Sequence, residues 1–246
     1  LSATQICVKM TLSYDGTEFC GWQVQPKLRT VQGEVEKALF NLTHEKIRIT
    51  GSGRTDTGVH ALGQVAHFNT KKDLPIQAFK EGLNQELPQD VQILDAEFVD
   101  ENFNARRDAV KRTYRYSLIR KPRVIGRQYA WFPKTSFALE PMREASQYLL
   151  GEHDFTSFSK VNEDIETPIS LVYDISWEDR EDEIDFTITA VRFFHHMIRI
   201  VIGTLIEVGR GKMASAQFDN ILKVRNRNLA GPTAPPHGLF LMKVEY

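Results

Sequence analysis

Cysteine is nearly absent from this sequence: Cys7 and Cys20 are the two in 246 residues. Their number and spacing exclude a zinc centre built on thiolates, and they allow one disulfide at most. Reduced, buried thiols fit a chain without an export signal. The opening residues LSATQICVKM carry no basic patch ahead of an apolar run, as a secretory leader would. No apolar run reaches the roughly 18 residues of a transmembrane span. These absences predict a cytoplasmic protein with no membrane segment.

Several catalytic signatures are also missing. The sequence has no H-E-x-x-H for zinc and no G-x-S-x-G nucleophile elbow. The stretch GSGRTDTGVHA, residues 51–61, begins like a dinucleotide fingerprint, but Asp56 stands where a third glycine belongs. It also lacks the G-K-[ST] ending of a phosphate loop. His195 and His196 fall in a predicted helix, where neighbours point apart, so packing suits them better than joint metal binding. No second acid is marked as the partner that a glycosidase needs.

What is present is an ordinary globular composition, 41% hydrophobic and 26% charged. The net charge of -1 hides two opposed segments. Residues 106–127 hold nine cations (Arg106, Arg107, Lys111, Arg112, Arg115, Arg120, Lys121, Arg123 and Arg127) against the single acid Asp108. Residues 163–185 hold ten acids against Arg180 alone. The basic segment, with Tyr114, Tyr116 and Tyr129 interleaved, predicts salt-dependent polyanion binding. The acidic block predicts a solvated hairpin turned away from any nucleic acid.

The hydrophobic pattern predicts an α+β fold. Ile6, Val8, Met10, Leu12 and Tyr14 alternate with small or polar residues, as in a half-buried strand. Thr30 is placed to cap a helix with Val31, Val35, Leu39 and Leu42 on one face. Strands are expected at residues 47–50, 64–68 and 91–99, and a helix at 75–87, giving β-α-β-β-α-β. A second half follows: a strand at 112–119, a helix from Pro141, a hairpin, a buried helix over FFHHMIRIVIGTLIEVG, a helix capped by Ser215, and a closing strand GLFLMKVEY. The expected division is 1–105 and 106–246, each half a sheet with helices on one face and resembling an RNA-recognition motif. The two sheets are expected to join across a basic cleft.

Asp56 remains the best candidate for chemistry. Arg54 lies two residues away, and a guanidinium nearby favours an ionised carboxylate able to act as a nucleophile. Gly51, Gly53 and Gly58 allow a bulky substrate to approach the backbone. A planar base attached to a sugar fits that geometry, and the tyrosine-bearing basic strand suggests that the base belongs to RNA. A pure RNA-binding module and a nucleotide-using transferase are the competing readings. The first leaves the GRTD loop unexplained, and the second fails on the loop patterns.

Five blocks in chain order, YDGTEFCGWQ, GRTDTGVHALGQVAHF, KRTYRY, GEHDFTSF and FFHHMIRIVIGTL, resemble the tRNA pseudouridine synthase A family, from Tyr14 to the closing HGLFLMKVEY. The resemblance implies the pseudouridine synthase fold and a homodimeric isomerase with no cofactor and no metal. It implies that uridine becomes pseudouridine in the anticodon stem-loop of tRNA, at positions 38 to 40. Matched by motif, Asp56 is the nucleophile, and Arg54 fills the space left by the flipped nucleotide and pairs with Asp56. Tyr114 stacks on the target base and is a candidate base for proton removal, Arg199 is a buried cation near the aspartate, and Leu239 lines the base pocket. Attack of Asp56 on C1′, addition to C6 and elimination to a glycal all remain open. No protein partner beyond a second copy is implied.

Overall fold

The computed structural model describes residues 5–160 and 168–246. In chain order the main elements are β1 (Ile6–Tyr14), α1 (Val31–Thr43), β2 (Thr50–Gly51), β3 (His60–Thr70), α2 (Leu83–Glu86), β4 (Val91–Val99), β5 (Lys111–Ile119), α3 (Leu139–Ser146), β6 (Gly151–Asp154), β7 (Ile169–Asp179), β8 (Glu183–Ala190), α4 (Met197–Gly209), α5 (Ser215–Val224) and β9 (Leu239–Glu245). They form two compact units, Leu1–Val110 with Phe240–Tyr246, and Lys111–Leu239. Each unit is α+β. Among the described residues no helix is long and apolar enough to cross a membrane.

In the first unit the strands lie in the order β4, β1, β3, β9, with β2 added to β3. The alternation of β1 buries Val8, Met10, Leu12 and Tyr14. β1 runs antiparallel to β3 and β4. The closing strand β9 pairs parallel to the start of β3, His60 opposite Phe240 and Ala61 opposite Leu241, so it packs with the first unit. Thr30 caps α1 by accepting a hydrogen bond from Gly33 N at 3.3 Å.

Two expectations change here. Residues 47–49 are not strand, and side chains of α1 take both backbone groups of Ile49. Ile49 N donates to Glu36, and Ile49 O accepts from Gln32. The helix expected over 75–87 contains a π-helical turn at Ala78–Gly82 before α2, with Phe79 and Leu83 buried.

In the second unit the order is β5, β8, β7, β6, antiparallel throughout. α4 is buried along nearly its whole length. It starts at Met197, later than the apolar run suggested, because His196 takes a left-handed conformation with φ 61° and serves as its N-cap. His195 and His196 therefore precede the helix, and their rings lie 4.0 Å apart instead of diverging. Ser215 is the first residue of α5 and does not cap it. Ala214 holds the cap position, where Gln217 reaches back to accept from Ala214 N at 2.9 Å.

The opposed charge segments meet in this unit. Arg120 pairs with Asp179 at 2.7 Å, Lys121 with Asp182 at 2.9 Å and Arg123 with Glu183 at 2.8 Å. The basic segment is thus not a free row of cations, since the β7–β8 turn neutralises its middle. Arg112 donates to Val191 O, and Lys111 sits over the Tyr173 ring. The first acids of the block, Glu163, Asp164 and Glu166, lie outside the described residues.

Candidate active site

The loop between β2 and β3 carries Asp56, and its shape is fixed at both ends by buried polar contacts. At the near end Ser52 Oγ donates to Gln64 Oε1 at 2.7 Å, and Gln64 Nε2 donates to Gly53 O at 3.0 Å. At the far end Val59 N donates to Asp56 O at 3.1 Å, closing a turn through Gly58. Between them Thr55 is held twice. Its hydroxyl lies 2.7 Å from the Tyr14 hydroxyl, and its carbonyl accepts from Trp22 N at 3.1 Å. Burial pushes the Tyr14 phenol up to about 12, against the opposing pull of its hydrogen bonds to Thr55 and Gln64. Tyr14 therefore stays neutral across the physiological range.

The approach of the 19–22 segment to this loop requires a glycine. Gly21 has φ +84°, and a Cβ there would lie 2.8 Å from Thr55 O and 3.2 Å from the Asp56 carbonyl carbon. Gly53, on the other side, faces open space. At the start of β3, His60 is buried, its Nδ1 accepts from Gly16 N at 3.0 Å, and its ring stacks on Phe240 at 4.7 Å. The closing strand thus supplies the ring that packs on His60, just after the Asp56 loop.

Asp56 is half-buried on this frame, whereas Arg54 is exposed and forms no ion pair with a described carboxylate. The Arg54–Asp56 pair expected from the sequence is not formed.

The other expected site residues lie in the second unit. Tyr114, on β5 opposite Ile188, is 8% exposed and meets the Phe193 ring edge-on at 5.0 Å. Arg199, on α4, is half-buried and not fully buried as expected. Its Nε donates to Ala234 O at 2.8 Å, and its own carbonyl accepts from Ala234 N at 2.9 Å. Tyr116 extends that clamp by donating from its hydroxyl to Pro235 O at 2.8 Å. Burial holds the Tyr116 phenol well above its ordinary range, with the Arg199 charge acting the other way. Leu239, 6% exposed, follows directly at the head of β9.

Sequence reading missed Tyr14, Gln64, Trp22 and Gly21, which shape the Asp56 loop, and Tyr116 and Phe193 in the second unit. The first four stand on other segments, and only the glycine of CGW, directly before a tryptophan, offered a local signal.

A family model described as tRNA pseudouridine synthase matches residues 10–108 and 145–246. Asp56, Arg54, Arg199 and Leu239 fall inside these stretches and Tyr114 falls between them. A protein of Bacillus pumilus named tRNA pseudouridine synthase A is 44% identical over 243 residues, covering 97% of this chain and 98% of its own. Proteins of the same name from Exiguobacterium and Bacillus subtilis are 41% and 42% identical, each match covering 97% of this chain and 97% and 98% of theirs. The chain belongs to the tRNA pseudouridine synthase family, isomerases that convert uridine to pseudouridine in tRNA.

Proposed function

We propose that this isomerase acts on the anticodon stem-loop of tRNA, at positions 38 to 40, with Asp56 as its nucleophile. The observation that carries the reading is the Asp56 loop. One half-buried carboxylate stands on a frame of buried hydrogen bonds, beside a glycine with open space at its Cα. The reaction breaks the N1–C1′ bond and forms a C5–C1′ bond. The C5 hydrogen leaves as a proton and N1 takes one up, so no oxidant, donor or hydrolytic water is consumed. A carboxylate that holds the sugar or the ring while the base turns meets that need.

The base must leave its stack, at a cost of a few kcal/mol. Stacking on Tyr114 offsets roughly 1–3 kcal/mol of this. Exposed Arg54 is available to fill the gap in the RNA, a role better served by a guanidinium not tied to Asp56. Arg199 and Tyr116 hold the 234–235 segment, and Leu239 just beyond it lines the base pocket. The enzyme works as a cytoplasmic homodimer without a cofactor.

The test is tritium release from tRNA labelled at C5 of uridine. Asp56→Asn should lose all measurable turnover while binding tRNA within about threefold of wild type. Retention of a tenth of wild-type turnover would rule out Asp56 as the nucleophile. Mapping pseudouridine in the product tRNA tests the positions.

A further inference from the structure

A cleft of about 560 Å³ opens in the first unit at the end of β3 away from Asp56. Lys46, Arg48 and Lys71 stand on it, with Thr50, His67 and Asn69 between them. The three cations pair with no described carboxylate, in contrast to Arg120, Lys121 and Arg123. The acid in the lining, Glu45, is already engaged. It accepts from Thr70 Oγ1 at 2.6 Å and from Lys71 N at 3.3 Å. Burial lowers the proton affinity of His67, against the pull of a hydrogen bond with the Thr50 backbone and of the Asp108 carboxylate, while Arg107 acts in the same sense as burial. His67 Nδ1 accepts from Ala105 N at 3.1 Å, which fixes the ring as part of the wall. The lining offers cations, hydroxyl and amide groups, but no exposed aromatic face on which a base would stack. Such a surface suits phosphate and ribose, read without regard to sequence.

Its distance from Asp56 sets what it can hold. β3 has 11 residues and starts just after the Asp56 loop. Along β3 the lining begins at His67, seven residues on from His60, so at about 3.3 Å per residue the cleft lies roughly 23–36 Å from the far end of the loop that carries Asp56. A span of that length is about one turn of an A-form RNA helix. We propose that this cleft binds the backbone of the substrate tRNA about one helical turn from the target uridine, and so senses the body of the tRNA beyond the reacting stem-loop. The inference rests on tRNA being the substrate.

The test compares wild type with the triple variant Lys46→Ala, Arg48→Ala, Lys71→Ala and a control triple at exposed Lys37, Lys80 and Lys134. Binding isotherms are taken at several salt concentrations on full-length tRNA and on a stem-loop of five base pairs, with tritium release measured alongside. The cleft triple should bind full-length tRNA at least tenfold more weakly. Its log K against log salt slope should be shallower by about 2, from contacts worth roughly 0.7–0.9 each. Its affinity for the short stem-loop should change less than twofold, and turnover at saturating tRNA should be retained, which also shows that the variant is folded. Unchanged affinity and slope for full-length tRNA, or equal losses on both RNAs, would overturn the proposal. An equal loss in the control triple would do the same. Failure of wild type to release tritium from any tRNA would instead sink the functional reading, and the binding arm would still judge the cleft.

Discussion

Gly21 touches the backbone of the Asp56 loop at a point where no side chain fits. An alanine there would occupy the left-handed region at about 1–2 kcal/mol and push on Thr55 O. Gly21→Ala should therefore lower turnover at least tenfold by moving Asp56, while tRNA affinity stays within a few-fold. Thermal unfolding together with tritium release checks it, and wild-type turnover would mean that the loop tolerates displacement. At this scale the sequence was informative about identity and poor about geometry. Asp56 stood out because its loop lacks bulk. Its nearness to Arg54 in sequence suggested a pair that the folded loop does not make, since one residue is half-buried and the other exposed. The groups that hold Thr55 come from β1 and from the 19–22 segment, and no local pattern links them.

Between elements, the main correction is electrostatic. Residues 120–123 looked like an anchor for RNA, yet they are tied to the β7–β8 turn. Exposed pairs of this kind contribute only about 0–1 kcal/mol each to stability, but they cancel the field that a polyanion would feel. Replacing Arg120, Lys121 and Arg123 with alanine should thus leave the salt slope of tRNA binding within about 1 of wild type. Isotherms across a salt series decide it, and a slope shallower by 2 or more would return these cations to the RNA interface. Local periodicity did reveal β1, the cap of α1 and the apolar length of α4, because each depends on neighbours in sequence. The start of α4 was hidden because an apolar run does not mark where His196 leaves helical space. Residues 47–49 have strand-like composition, but Glu36 and Gln32 already take both backbone groups of Ile49.

For the molecule as a whole, the α+β class was legible from the sequence, and the parallel pairing of β9 with β3 was not. Nothing in GLFLMKVEY names its partner. Phe240, Leu241 and Val244 are buried in the first unit. At about 2 kcal/mol each, their burial is of the order of the 5–15 kcal/mol that hold a domain together. A chain ending at Leu239 should melt at least 10 °C lower than the full chain and lose activity, as circular dichroism and tritium release would record. An unchanged melting temperature would show that β9 is dispensable to the first unit. The same strand orders events in time. Translation delivers β3 long before β9, and at roughly 5–20 residues per second the intervening chain takes on the order of ten seconds to emerge. The second unit, Lys111–Leu239, has left the ribosome before the first can close. Throughout that interval the start of β3 lacks one neighbour and His60 lacks the ring it stacks on. Until residues 239–245 emerge, the strand that follows the Asp56 loop waits without its parallel neighbour.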